Sequence, residues 1–137
     1  MEILNLNLMA PLYYTRDADS ELPEDEVFSG GERLYCFELD EKQRTSFEPD
    51  RAEIIGKLLF SGKITEKAEG EPKAELPRGK YLFAQERRIL NMDEIIAMAI
   101  EIQQEGLWQR RKLSDRLYLR FLHEDGCFVT QLFRPYL

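Results

Sequence analysis

The chain contains few of the residues from which metal sites and disulfides are built. Its 137 residues include one histidine, His123, and two cysteines, Cys36 and Cys127, which are far apart in the sequence. No Cys-x-x-Cys spacing and no Cys/His cluster occurs, so we expect neither a metal ion nor another cofactor. Two reduced thiols are the simplest interpretation of such a pair, and a disulfide requires that their strands be neighbours.

Long hydrophobic runs and an excess of basic residues are also missing. No stretch approaches 18 uninterrupted apolar residues, so no transmembrane helix and no membrane partner is expected. The first ten residues hold neither lysine nor arginine, which predicts no signal peptide and a cytoplasmic location. With 19 Lys and Arg against 26 Asp and Glu, the formal charge is −7. This balance argues against direct binding of nucleic acid through phosphate contacts.

The composition predicts a single domain over residues 1–137, with its charge distributed unevenly. Residues 1–76 carry a net charge of −9, whereas residues 77–137 carry +2. Six carboxylates and no cation between positions 17 and 26 predict an acidic loop over about 16–32. Alternating Lys and Glu around Gly70 predict a polar loop over about 63–77.

Several short segments have the pattern of β-strands. Leucine alternates with asparagine over residues 4–8, which is the period of a half-buried strand. Residues 34–39 and 81–85 are further strand candidates, each bounded by turn-forming or charged residues.

Residues 50–60 permit two interpretations. Asp50 and Glu53 could form a capping box at the start of a helix. Gly56 weakens so short a helix, and the apolar run over 54–60 fits a buried strand, which we favour.

One long amphipathic helix is predicted over about residues 92–105. Asn91 and Glu94 have the spacing of a capping box. The apolar face comprises Ile95, Ile96, Met98, Ala99 and Ile102. Gly106 is predicted to end the helix.

The last segments predict a β-hairpin. Asp125-Gly126 indicates a two-residue type I′ turn between strands over 116–124 and 127–134, with paired residue numbers that sum to 251. One face then carries Leu117, Leu119, Phe121, His123, Phe128, Thr130, Leu132 and Arg134. The other face carries Tyr118, Arg120, Leu122, Val129, Gln131 and Phe133. The expected fold class is α+β, a mostly antiparallel sheet with the long helix packed on one face.

A family resemblance rests on four features in a suggestive order. These are the segment ELPRGKYLF over 75–83, the helix, the strand around Tyr118, and the closing FVTQLFRP over 128–135. Together they resemble the second half of gyrase-inhibitor-like small-molecule-binding domains, which are also the effector-binding domains of several multidrug-sensing transcription regulators. The resemblance covers about residues 75–137. It implies two β-α-β-β halves around a cleft that binds small, often aromatic molecules.

The chain also departs from this family. The first half lacks a convincing long amphipathic helix, and no DNA-binding helix-turn-helix is evident, so a stand-alone binding module is expected. The family often places a buried glutamate where this chain has Leu117-Tyr-Leu-Arg120. Arg120 would favour an anionic ligand instead of a cationic one.

The candidate ligand site combines aromatic and polar residues of the second half. It comprises Tyr81, Phe83, Trp108, Tyr118, Arg120, Gln131 and Phe133. The rings would supply apolar area, while Arg120 and Gln131 would orient a small organic ligand that is anionic or aromatic. The alternatives are a second core face or an oligomer surface, and Trp108 could simply close the helix C-terminus.

Other functions have weaker support in the sequence. His123 lies near a turn and Cys127 is expected on the opposite face of the hairpin, so no catalytic pair and no enzymatic activity is predicted. The alternative function is a protein-interaction module whose acidic residues 17–26 dock on a basic partner. The basic run 110–112 is too short and isolated to predict a phosphate site.

Overall fold

Eight strands form one antiparallel sheet in the part of the chain that the structure describes. The computed structural model describes residues 2–18, 32–51, 53–63 and 73–137. The elements are β1 (Ile3–Leu8), β2 (Leu12–Arg16), β3 (Arg33–Glu38), α1 (Glu41–Arg44), β4 (Lys57–Lys63), β5 (Lys73–Leu76), β6 (Gly79–Glu86), α2 (Met92–Trp108), β7 (Arg116–Glu124) and β8 (Cys127–Pro135). The strand order is β1-β6-β8-β7-β3-β4-β2-β5. A mostly antiparallel sheet with one long helix is therefore confirmed.

The connections require this sheet to curl. Strands β1 and β2 are first and seventh in the order, which would separate them by about 29 Å in a flat sheet. Residues 9–11 connect the two strands and span at most about 15 Å. Residues 77–78 link β5 to β6 across a similar separation. The sheet therefore closes towards a half-barrel.

Buried apolar residues form two clusters, one on each face of the sheet. The helix core joins residues of α2 to one face of the central strands; it includes Leu82, Ile95, Met98, Ile102, Leu119 and Leu132. The concave core joins β2 and β5 to the strands that they curl over; it comprises Tyr14, Leu34, Cys36, Ala74, Leu76, Tyr81, Phe83, Tyr118 and Phe133. A residue's place in the strand alternation decides which core it enters.

The helix starts as predicted but ends later. The capping box is confirmed, since Asn91 Oδ1 accepts from the Glu94 N–H at 2.9 Å and Glu94 Oε1 accepts from the Asn91 N–H at 3.3 Å. The prediction that Gly106 ends the helix is wrong, because α2 continues to Trp108.

Close packing explains the glycine at position 106. A Cβ atom there would lie 2.6 Å from Leu113 Cδ1, so only glycine lets Leu113 approach the helix. The helix ends instead in a Schellman motif, in which Arg110 N donates to Leu107 O and Arg111 N donates to Gly106 O, both at 3.0 Å. Arg110 occupies the left-handed position, with φ of 58°.

The β7–β8 hairpin has the predicted register. Arg120 pairs with Gln131 and Leu122 with Val129, in agreement with the predicted sum of 251. Asp125 and Gly126 have φ of 51° and 76°, as a type I′ turn requires.

The first half of the chain departs further from the predictions. Strand β2 was not predicted, and β5 occupies residues 73–76 of the predicted polar loop. Strand β5 has only four residues, KAEL, two of which are charged, so no clear strand pattern is evident in the sequence there. Within 50–60, the strand begins only at Lys57, because Gly56 turns the chain with φ of 70°. The acidic stretch 19–31 lies outside the described residues.

The two halves do not repeat one strand order. In the second half, β8 lies between β6 and β7, whereas β3 and β4 are direct neighbours in the first half. Helix α1 has only four residues. None of the helices in the described ranges is long and apolar enough to cross a membrane.

Candidate functional site

Four of the predicted aromatic residues meet in the concave core. The ring of Phe133 lies 5.7 Å from that of Tyr81 and 5.0 Å from that of Phe83, measured between centroids, and Tyr81 lies 6.4 Å from Tyr118. All four side chains are buried, with 2–8% of each residue exposed. These rings pack on one another and form the floor of the concave face. They do not offer an open stacking surface.

Trp108 is separate from this group. It is the last residue of α2, it is 78% exposed, and it is absent from the concave core. The structure therefore does not bring Trp108 together with the other predicted ligand residues.

A row of polar side chains lies beside the aromatic floor. Gln131 is the cross-strand neighbour of both Gln85 and Arg120. Arg120 Nη1 donates to Gln131 Oε1 at 2.9 Å, and Gln131 Nε2 donates to Gln85 Oε1 at 3.0 Å. Gln85 is exposed, whereas Gln131 is 8% exposed, so the row runs from solvent into the concave face.

Arg120 also forms an ion pair with Glu32. Arg120 Nη2 lies 2.9 Å from Glu32 Oε2, and Nε donates to the same oxygen at 3.2 Å. Nε further donates to the Tyr14 hydroxyl at 2.9 Å, and that hydroxyl donates to Glu32. The side chains of Arg120 and Glu32 are 16% and 18% exposed. Tyr14, Glu32, Gln85, Arg120 and Gln131 together form what we term the Arg120 network.

The strand pattern explains how Glu32 reaches this site. Leu34 belongs to the concave core and pairs with Arg120. Glu32 lies two residues before Leu34, immediately before β3 begins. Side chains two residues apart on a strand point to the same face. Glu32 therefore supplies a carboxylate that the segment Leu117-Tyr-Leu-Arg120 of β7 lacks.

Electrostatics keep the hydroxyl of Tyr14 protonated. Burial, and then the hydrogen bond to Glu32, raise the pKa of Tyr14 above its usual value, although the Arg120 charge acts in the opposite direction. The network thus contains one cation, one anion and neutral hydrogen-bonding groups. Its charges balance.

No protein-family model and no curated protein matches this chain. The chemistry of the site must therefore be inferred from its own residues and geometry.

Cys36 and Cys127 are both free cysteines. Burial raises the pKa of the Cys36 thiol to about 12, so this thiol is a poor nucleophile. His123 packs against the ring of Phe128 at 4.9 Å between centroids. Within the described ranges, no cluster of three or more His, Cys, Asp and Glu side chains could hold a metal ion.

Sequence reasoning identified two of the five residues of the Arg120 network. Arg120 and Gln131 were predicted, whereas Tyr14, Glu32 and Gln85 were missed. Gln85 could have been found by extending the alternation of Tyr81 and Phe83 by one step. Glu32 is 88 positions from Arg120, and nothing local to either residue links them.

Proposed function

We propose that this chain binds a small aromatic molecule that carries an uncharged polar group, and that it does so at the Arg120 network without catalysing a reaction. The observation that carries this proposal is the ion pair between Arg120 and Glu32 at the accessible end of the concave face. The pair offers a strong donor and a strong acceptor side by side. Because the buried rings of the floor leave no open stacking surface, the ring of such a ligand would lie against the rim of the floor, beside Phe83.

The charge balance of the network favours an uncharged group over a carboxylate. An anionic ligand at Arg120 would have to displace Glu32 and leave that carboxylate without its cation, at a large cost in free energy. A primary carboxamide avoids this cost, because its carbonyl accepts from Arg120 while its N–H donates to Glu32. The ligand class is thus narrower than the anionic or aromatic molecule that the sequence suggested.

We also propose that the chain is a gyrase-inhibitor-like domain, as the resemblance over residues 75–137 suggests. A gyrase-inhibitor-like domain would bind a small molecule on a concave sheet surface beneath strands equivalent to β6, β7 and β8. The helix α2 would then support the sheet from its other face, and the protein would act in the cytoplasm. An effector-binding role follows from these assignments.

Benzamide tests the proposal because it combines one ring with one primary carboxamide. In ¹H–¹⁵N spectra we expect it to shift the side-chain amide signals of Gln85 and Gln131 in a saturable manner. Arg120→Met should weaken this binding about tenfold or more, since it removes a charged hydrogen-bond donor. Arg88→Met is the matched control, because Arg88 is a more exposed arginine outside the network. Equal binding by all three proteins, or no shifts in the unaltered one, would contradict the proposal.

Docking of a basic partner on residues 17–26 gains no support from the described residues. Asp17 is the one acid of that stretch within the described residues, and it already pairs with Arg33 and accepts a hydrogen bond from Ser61 at 2.7 Å. Most of the stretch lies outside the described residues.

A further inference from the structure

A cavity lies between the β1–β6 edge of the sheet and the turn that follows α2. It has a volume of about 250 Å³ and is lined by Asn5, Leu6, Asn7, Lys80, Arg111 and Tyr136. None of these residues belongs to the Arg120 network. We term it the basic cavity, because it is lined by two cations and no carboxylate.

The fold brings these residues together from four parts of the chain. Asn7 and Lys80 are cross-strand partners on β1 and β6. Tyr136 N donates to Lys80 O at 3.1 Å, and Leu137 N donates to Lys112 O at 2.9 Å. The basic run 110–112 looked isolated in the sequence. In the fold, the sheet places a further cation, Lys80, beside it.

The cations of the basic cavity are available to a ligand. Neither Lys80 nor Arg111 forms an ion pair with a carboxylate of the described residues, unlike the arginines at positions 33, 88, 116 and 120. Glu105, which acts on Tyr136 electrostatically, accepts a hydrogen bond from Gln109 at 2.8 Å.

Two contacts orient the donors. The Arg111 guanidinium lies over the ring of Tyr136, with Cζ 4.2 Å from its centroid, so this contact holds the cation beside the ring. The Tyr136 hydroxyl donates to Asn5 Oδ1, which leaves the Asn5 Nδ2 donor for another acceptor. The left-handed Arg110 and the bond from Arg111 N to Gly106 O fix the turn that carries Arg111. Such preorganisation lowers the entropic cost of binding.

We propose that the basic cavity binds the phosphate group of a small phosphate monoester. A guanidinium, an ammonium and an amide N–H are the donors with which proteins surround phosphate oxygens. The cavity is smaller than most drug-sized sites, so it suits a compact ester and not a polymer.

Methyl phosphate is the probe for this site, and trimethyl phosphate is its uncharged counterpart. In ¹H–¹⁵N spectra we expect methyl phosphate to shift the Arg111 Nε–H and Asn5 amide signals, with a Kd of about 1 mM. Trimethyl phosphate should leave these signals unchanged. Lys80→Gln and Arg111→Gln should each weaken binding about fivefold or more, and Lys80→Arg should retain it.

Arg78→Gln is the matched control, because it removes one exposed cation two residues from Lys80 but outside the cavity lining. We expect it to change the affinity for methyl phosphate by less than about twofold. Two results would overturn the proposal: no saturable shifts with methyl phosphate, or an equal loss of binding in Arg78→Gln. Tighter binding of a single-stranded oligonucleotide that also depends on Arg78 would overturn it as well, in favour of a nucleic-acid surface.

Discussion

The ion pair between Arg120 and Glu32 should contribute measurably to stability. Its two side chains are 16% and 18% exposed, which lies between a fully buried pair and a surface pair. Surface pairs contribute about 0–1 kcal/mol, and hydrogen bonds to charged groups about 1.5–3 kcal/mol. Two such bonds link this pair, at 2.9 and 3.2 Å. We therefore expect a coupling free energy of about 2 kcal/mol between the two side chains.

A double-mutant cycle with Arg120→Met and Glu32→Leu measures this coupling. The free energy of unfolding of all four proteins is obtained from urea denaturation. The same cycle on Arg88 and Glu94 is the control, because those side chains are 56% and 35% exposed and should couple more weakly than Arg120 and Glu32. A coupling between Arg120 and Glu32 no larger than the control would refute the structural basis of the proposed site.

Three further predictions concern the helix end and the buried ionisable groups. Gly106→Ala should lower the free energy of unfolding by about 1 kcal/mol, because the added Cβ overlaps the side chain of Leu113. In a Leu113→Ala background, which removes the overlap, Gly106→Ala should instead raise the free energy of unfolding, because alanine has the higher helix propensity. Urea denaturation measures both effects. Arg110→Gly should raise it by about 1 kcal/mol, whereas Arg110→Ala should not, because only glycine relieves the positive φ. Burial raises the pKa of both Cys36 and Tyr81 to about 12, so stability should be fully present below the unfolded pKa values of about 9 and 10 and fall at higher pH. Unfolding curves recorded from pH 8 upwards test this, and in Cys36→Ala the loss should begin about one pH unit later.

The second half of the chain was predictable because its structure is set by local signals. Asp125-Gly126 fixes the turn type, and the turn then fixes the register of every pair in the hairpin. Asn91 and Glu94 likewise start α2 through contacts within one helical turn. These signals need no knowledge of the rest of the fold.

Other features depend on contacts between distant segments and could not be predicted. Gly106 looked like a helix stop, but its role is to accommodate Leu113. Strands β2 and β5 have only five and four residues, too few for a clear alternation, and they are held by pairing with each other, with β4 also pairing with β2. Arg120 was placed on the correct face, yet its partner Glu32 becomes visible only once β3 is known to pair with β7. For this reason the ligand expected at Arg120 changed from an anionic molecule to one with an uncharged polar group.

The charge preference of the Arg120 network tests the proposed function most directly. Benzamide and benzoate have the same ring and nearly the same shape, and they differ in charge. The unaltered protein should bind benzamide more tightly than benzoate, as measured by titration of the Gln131 side-chain amide signal. In Glu32→Gln the order should reverse, because Arg120 then has no carboxylate partner in the protein and can form an ion pair with the carboxylate of benzoate. A preference for benzoate in the unaltered protein, or an order that Glu32→Gln leaves unchanged, would contradict the account.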